Sequence, residues 1–263
     1  MRRILWLAAL LLPLFMNAQG AAPAAKSAEW NGYRWLDFDV AGRPCLLIVP
    51  KTPAPGNPWI WRAENFGEAP QVDLALLARG WHVGYIDARD LYGAPQAISL
   101  MGQFYARVVT QAGLAKRVVL EGFGSGGLYA FNFAAAHPTR VAALYLDAPA
   151  LDIRSWPGRN RDSTEWRDCL EAYHLTAETL SAFKGNPLDY VPLVAAAKVP
   201  IIVVAGDADR TVPFAENTAV LEKRYREQGG SIQVIVKPGA DHQPPGLPDS
   251  TAVVDFLVQN AKP

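Results

Sequence analysis

From residue 59 onward, short apolar runs alternate with segments of helical periodicity. That alternation restricts the chain to a mostly parallel sheet covered by helices on both faces, the doubly wound α/β class. Strand-like runs fall at residues 59–61, 81–86, 118–123, 141–146, 201–205 and 232–236. Helical patterns fall between and after them, at residues 72–79, 95–112, 125–136, 214–227 and 250–260. Upstream, residues 33–40 and 45–50 are strand-like and joined by Ala41-Gly42-Arg43, which predicts an antiparallel hairpin at the start of the sheet. Only residues 150–199 break the rhythm. They read as short helices at 165–173, 177–183 and 191–198, inserted between two strands. The expected place for such a cap is over the carboxyl edge of the sheet, where open α/β sheets bind ligands.

At 263 residues, half of them apolar, the chain has material for one domain with a sizeable core. The first twenty residues stand apart. Arg2 and Arg3 precede an apolar run over residues 4–16, and Ala18-Gln19-Gly20 offers small residues for cleavage, so residues 1–20 read as a secretory signal and 21–263 as the mature domain. A secreted or periplasmic location follows, with no membrane contact after cleavage. Removing two arginines takes the formal charge from 25 − 25 to 23 − 25, or −2. No basic face is evident, which argues against a nucleic-acid partner. Cys45 and Cys169 lack metal-ligand spacing; an oxidising compartment would let them pair, and two buried free thiols is the favoured reading. No cofactor and no metal is implied.

The chemistry centres on residues 118–128, where the apolar run Val118-Val119-Leu120-Glu121 enters Gly122-Phe123-Gly124-Ser125-Gly126-Gly127 and opens into a helix. Two chemistries use such a strand–turn–helix. A nucleophile elbow, G-x-S-x-G, lifts a side chain above the sheet on a strained turn. A dinucleotide fingerprint, G-x-G-x-x-G, lets a pyrophosphate approach the helix. Gly122, Gly124 and Gly127 match the second, and Asp147, about twenty residues on, stands where a ribose-binding acid would sit. Against it, several strands precede the glycines, and cofactor binding leaves two later loops unexplained.

Those loops are Gly206-Asp207-Ala208-Asp209-Arg210-Thr211-Val212-Pro213 and Gly239-Ala240-Asp241-His242, each just past a strand. Turn, acid and histidine follow one another in the order an α/β-hydrolase uses. A histidine accepts the hydroxyl proton there, and a carboxylate fixes its tautomer. On these residues the sequence resembles the α/β-hydrolase superfamily, in a secreted bacterial branch with a strand, G-F-S-R-G-G-L and a helix. The resemblance covers nearly the whole mature chain and extends to Ala215-Glu216-Asn217-Thr218 after the acid loop. It implies Asp209 as the acid, with Asp147 as the alternative, and His242 as the base.

The departure lies at the nucleophile. Laid on the family pattern, the nucleophile slot holds Gly124, and Ser125 takes the next position, whose backbone N–H serves the oxyanion hole. Small residues are favoured two places either side of a nucleophile. Gly122 and Gly126 satisfy this around Gly124, whereas Phe123 fails it around Ser125. Three outcomes stay open: Ser125 attacks after a local rearrangement, His242 and Asp209 activate water, or the pocket binds without turnover. The second oxyanion donor is expected from the turn after residues 59–61, near Arg62, Ala63 and Glu64. Trp61, Trp156 and Trp166 are candidates to line a pocket for a small-molecule or carbohydrate ester, of glycan or plant origin, although each equally suits a core. Arg154, Arg159 and Arg161 could hold a carboxylate or simply be a solvated run.

Overall fold

A computed structural model of the chain describes residues 27–261, and the expected signal segment lies outside them. Within the described residues, the strands are β1 (Ser27–Trp30), β2 (Tyr33–Val40), β3 (Arg43–Val49), β4 (Trp59–Arg62), β5 (His82–Ile86), β6 (Val118–Phe123), β7 (Val141–Asp147), β8 (Ile201–Gly206) and β9 (Ile232–Lys237). They form one sheet in the order β1-β2-β3-β5-β4-β6-β7-β8-β9. β1 to β3 are antiparallel, β3 meets β5 antiparallel, and every later pairing is parallel. The helices are α1 (Gln71–Ala78), α2 (Pro95–Gln111), α3 (Gly126–Ala136), α4 (Thr164–Ala172), α5 (Ala177–Leu180), α6 (Val191–Ala196), α7 (Thr218–Glu227) and α8 (Thr251–Asn260). Two apolar cores result, one on each face. Val72, Leu76, Val253 and Leu257 of α1 and α8 seal one. Phe104, Leu128, Phe131, Val194 and Leu221, from α2, α3, α6 and α7, seal the other.

β4, β6, β7 and β8 are buried along their whole length, which is why they read as continuous apolar runs and not as alternating ones. Two differences from the sequence reading have simple causes. β1 escapes notice because its four residues, SAEW, carry no apolar alternation. α7 begins at Thr218 and not at residue 214, because residues 214–217 are a turn whose last member, the fully buried Asn217, spends its side chain outside the helix. Among the described residues no helix is long and apolar enough to cross a membrane. Cys45 and Cys169 are both buried and unbridged.

The segment between β7 and β8 carries α4, α5, a 3-10 turn (Pro187–Asp189) and α6. Asn217 ties its beginning to the body: the amide oxygen accepts from Leu151 N–H (2.9 Å), and the nitrogen donates to Ser155 Oγ (2.9 Å) and the Pro213 carbonyl (3.1 Å).

Candidate active site

The site forms where β6, β7, β8 and the loop after β9 end on the same edge of the sheet. β6 turns into α3 through Gly124, whose φ of +48° lies in the left-handed region that favours glycine. The turn is tight enough that a Cβ on Gly122 would stand 2.5 Å from the Gly126 carbonyl oxygen. The glycines two places on either side of residue 124 meet that steric demand.

The loops after β8 and β9 are clamped together. The Asp207 carboxylate accepts from Gly239 N–H (2.6 Å), and Asp241 accepts from the Arg210 amide (2.9 Å) and guanidinium (2.5 and 2.7 Å). The backbone donors from Arg210 and His242 and the Arg210 guanidinium hold the Asp241 carboxyl down at about 2. This clamp sets His242 against Asp209, with Nδ1 2.7 Å from Oδ2. The other Asp209 oxygen accepts from the N–H groups of Thr211 (2.9 Å) and Val212 (2.8 Å). An ionised Asp209, whose oxygens only accept, places the imidazole hydrogen on Nδ1 and leaves Nε2 as an acceptor. Nε2 points at the elbow: a Cβ built on Gly124 would lie 3.2 Å from it.

Asp147, the alternative acid, is placed differently. Its Oδ2 accepts from Gly246 N–H (2.9 Å) and the Tyr145 hydroxyl (3.3 Å), and among the described residues it has no bond to His242. Burial pushes its carboxyl up to about 6. Asp209 is the carboxylate on the imidazole.

Ser125 does not face the base. It sits in helical geometry at the head of α3, and its hydroxyl donates to Glu64 Oε2. Burial pushes the Glu64 carboxyl up to about 7. This is a correction to Ser125 as attacking group, since a nucleophile must be within hydrogen-bond reach of its base. The Ser125 backbone N–H finds no acceptor among the described residues, as an oxyanion donor requires. The Glu64 N–H is free in the same sense. Ala63 is not a donor to the site, because its N–H bonds the Glu121 carbonyl (2.8 Å) and extends the β4–β6 ladder.

A cavity of about 210 Å³ opens over Gly124, bordered by Glu68, Asp147, Trp156, Thr211, His242 and Gln243. Trp156 is thus in place as a pocket wall, backed by Tyr92 at 6.1 Å between ring centres. The other two tryptophans are corrections. Trp61 is wholly buried, stacked on Trp59 and against Phe104 and Phe133, because β4 is covered on both faces. Trp166 is packed inside the inserted segment against Gly158 and does not border the cavity. Arg154 and Arg159 are paired with Asp152 and Glu216, and Arg161 is exposed.

Sequence reasoning missed the support beneath the elbow. Arg62, wholly buried, bonds Asp73 (2.6 Å) and Glu121 (3.1 Å) and lies over the Phe123 ring, 4.4 Å from its centre. It ties the loop holding Glu64 to the strand that leads into Gly124. Burial raises the Glu121 carboxyl well above its ordinary range. Arg62 leaves a signal in the sequence, as a charge ending the otherwise apolar run 59–61, but its two partners lie 11 and 59 residues away.

Fold and dyad together define an α/β-hydrolase. The chain belongs to the prolyl oligopeptidase family, a family of serine hydrolases, whose model matches residues 105–261. Among solved structures it is similar to the dipeptidyl peptidase 4 of Porphyromonas gingivalis, at 14% identity and a TM-score of 0.68 over 88% of this chain and 36% of that one. It is also similar to the acylaminoacyl peptidase of Pyrococcus horikoshii, at 13% identity and 0.64 over 87% and 41%. The chain thus spans about two fifths or less of the length of these structures. No curated protein matches it. The family match favours the hydrolase over the dinucleotide reading, and Asp147, the residue expected on a ribose, is buried.

Proposed function

We propose that this chain binds a small carbonyl compound, an acyl ester in the first instance, over the elbow and lacks the covalent step of its family. One observation carries the reading: the imidazole is oriented and aimed at residue 124, and residue 124 has no side chain. What remains is a general base, a backbone N–H at a helix head and a cavity, which suffice to hold a carbonyl group. The two solved neighbours are peptidases, and amides and esters share the carbonyl such a site addresses. In this reading residues 1–20 direct the protein out of the cytoplasm, to the periplasm or beyond.

A second reading rests on the free Nε2 of His242. A water held there could attack a bound ester by general-base catalysis, without an acyl intermediate. Loss of the serine alone costs a complete triad about 10⁶ in rate, so this turnover would be slow.

Wild type, Ser125→Ala and His242→Ala are compared on p-nitrophenyl acetate and with a fluorophosphonate label. The expected result is no adduct and a buffer rate for all three. Turnover that Ser125→Ala abolishes would overturn the proposal. Turnover that survives Ser125→Ala and vanishes in His242→Ala selects the water mechanism.

A further inference from the structure

We infer that Asp147 is a positioning residue for His242: its backbone ties down the slot at residue 124, its side chain ties down the histidine loop, and the spacing between the two follows. Asp147 ends β7 directly beside Phe123, the last residue of β6. Its carbonyl oxygen accepts from the Gly124 N–H (2.9 Å), so the slot residue hangs on it. Its carboxylate oxygen Oδ2 accepts from the Gly246 N–H (2.9 Å). Gly246 stands four residues past His242, at a φ of +78° that favours glycine. The backbone tie would be made by any residue. The side-chain tie needs an acceptor of this length, which aspartate and asparagine supply and alanine does not.

The histidine loop is thereby held on both sides of His242. Ahead of it, Asp207 accepts from Gly239 N–H, and Asp241 accepts from Arg210. Beyond it, the Lys237 ammonium donates to the carbonyls of Pro244 (2.8 Å) and Gly246 (3.4 Å), and the Gln243 amide makes a long contact with Glu68 (3.4 Å). Lys237 belongs to β9, the strand that carries the loop, so it shapes the loop without relating it to the elbow. Asp147 is bonded to both. Its oxygens are otherwise withdrawn from the chemistry. Oδ2 is shared between Gly246 and the Tyr145 hydroxyl (3.3 Å), Oδ1 is buried without a hydrogen-bond partner among the described residues, and the imidazole bonds Asp209 instead.

This role rests on the pairing of His242 with residue 124 proposed above, and it needs no turnover. The first readout is the imidazole proton between His242 Nδ1 and Asp209, followed by NMR in the full chain and assigned by its loss in His242→Ala. The second is the rate of fluorophosphonate labelling in the Gly124→Ser protein. Asp147→Ala, Asp147→Leu and Asp147→Asn are compared in both, with melting temperatures recorded alongside. Leucine resembles aspartate in shape and suits a buried site, so it keeps the test open if the alanine variant folds poorly. Asp147→Ala and Asp147→Leu should broaden the proton signal and slow labelling about 10-fold or more, the effect of displacing a base by a fraction of an ångström. Asp147→Asn, which keeps an acceptor for Gly246, should hold the signal and label within about 3-fold of its parent. An intact signal and labelling rate in a folded Asp147→Ala or Asp147→Leu protein would overturn the inference. An asparagine variant as impaired as these two would overturn it as well, by assigning the effect to charge and not to the hydrogen bond. Loss of the fold in both, with asparagine folded, would reduce Asp147 to a folding residue. If Gly124→Ser itself does not label, the fault lies with the slot assignment, and the proton signal still decides on Asp147.

Discussion

Gly124→Ser is the perturbation that probes the site most directly, and its size can be worked from the geometry. A serine Cβ at residue 124 would stand 3.2 Å from His242 Nε2. A near-tetrahedral hydrogen bond from Oγ needs that separation to be about 3.5 Å, so the imidazole must retreat by about 0.3 Å. His242 lies on a loop, with its side chain 18% exposed, and can yield that much. The backbone cost is larger. A non-glycine residue at φ +48° carries strain of about 1–3 kcal/mol, and unfolding stability should drop by that amount. In return the variant regains a hydroxyl on an oriented histidine. Since a serine is worth about 10⁶ within a full triad, even an imperfect fit should raise p-nitrophenyl acetate turnover by about 10³-fold or more. A fluorophosphonate should label residue 124 stoichiometrically, and His242→Ala in the same protein should abolish both effects. A cooperatively folded Gly124→Ser protein that neither labels nor turns over would refute the assignment of residue 124 as the slot His242 serves.

Two further outcomes follow from the buried charges. Arg62→Met leaves Asp73 and Glu121 facing each other in the core, and urea unfolding should show a loss of about 3–5 kcal/mol; a loss below about 1 kcal/mol would show that the network does not hold the elbow. Glu64 has its carboxyl raised to about 7, so the folded protein binds a proton there more tightly than the unfolded chain does. The sign is that of a raised acid: its stability contribution is complete below about pH 4.5 and is lost as pH rises through 7. Because Glu64 is partly exposed, that contribution is about 1–2 kcal/mol. Glu64→Gln should flatten the pH dependence of the melting temperature across this window, and an unchanged slope would count against the buried carboxyl.

The parallel strands and their helices were legible because doubly buried strands are written as unbroken apolar runs, and Gly80 and Gly113 punctuate the helices between them. The close approach of Gly122 to Gly126 was legible as well, since it is local and steric. Burial on both faces also hid something. It made Trp61 resemble a pocket residue when it is core, because an apolar run does not say which side chain turns to a cavity. Ala63 was misjudged because the β4–β6 ladder runs one residue further than its apolar residues. The Ser125–Glu64 bond and the Arg62 network join residues from about ten to sixty positions apart, and only the topology brings them together.

Asn217 gives the inserted segment a particular relation to the dyad. One amide side chain grips the first residues of that segment and also the carbonyl of Pro213, four residues after Asp209. The stretch leading into the cavity wall at Trp156 and the loop that steers the imidazole therefore hang on one shared anchor.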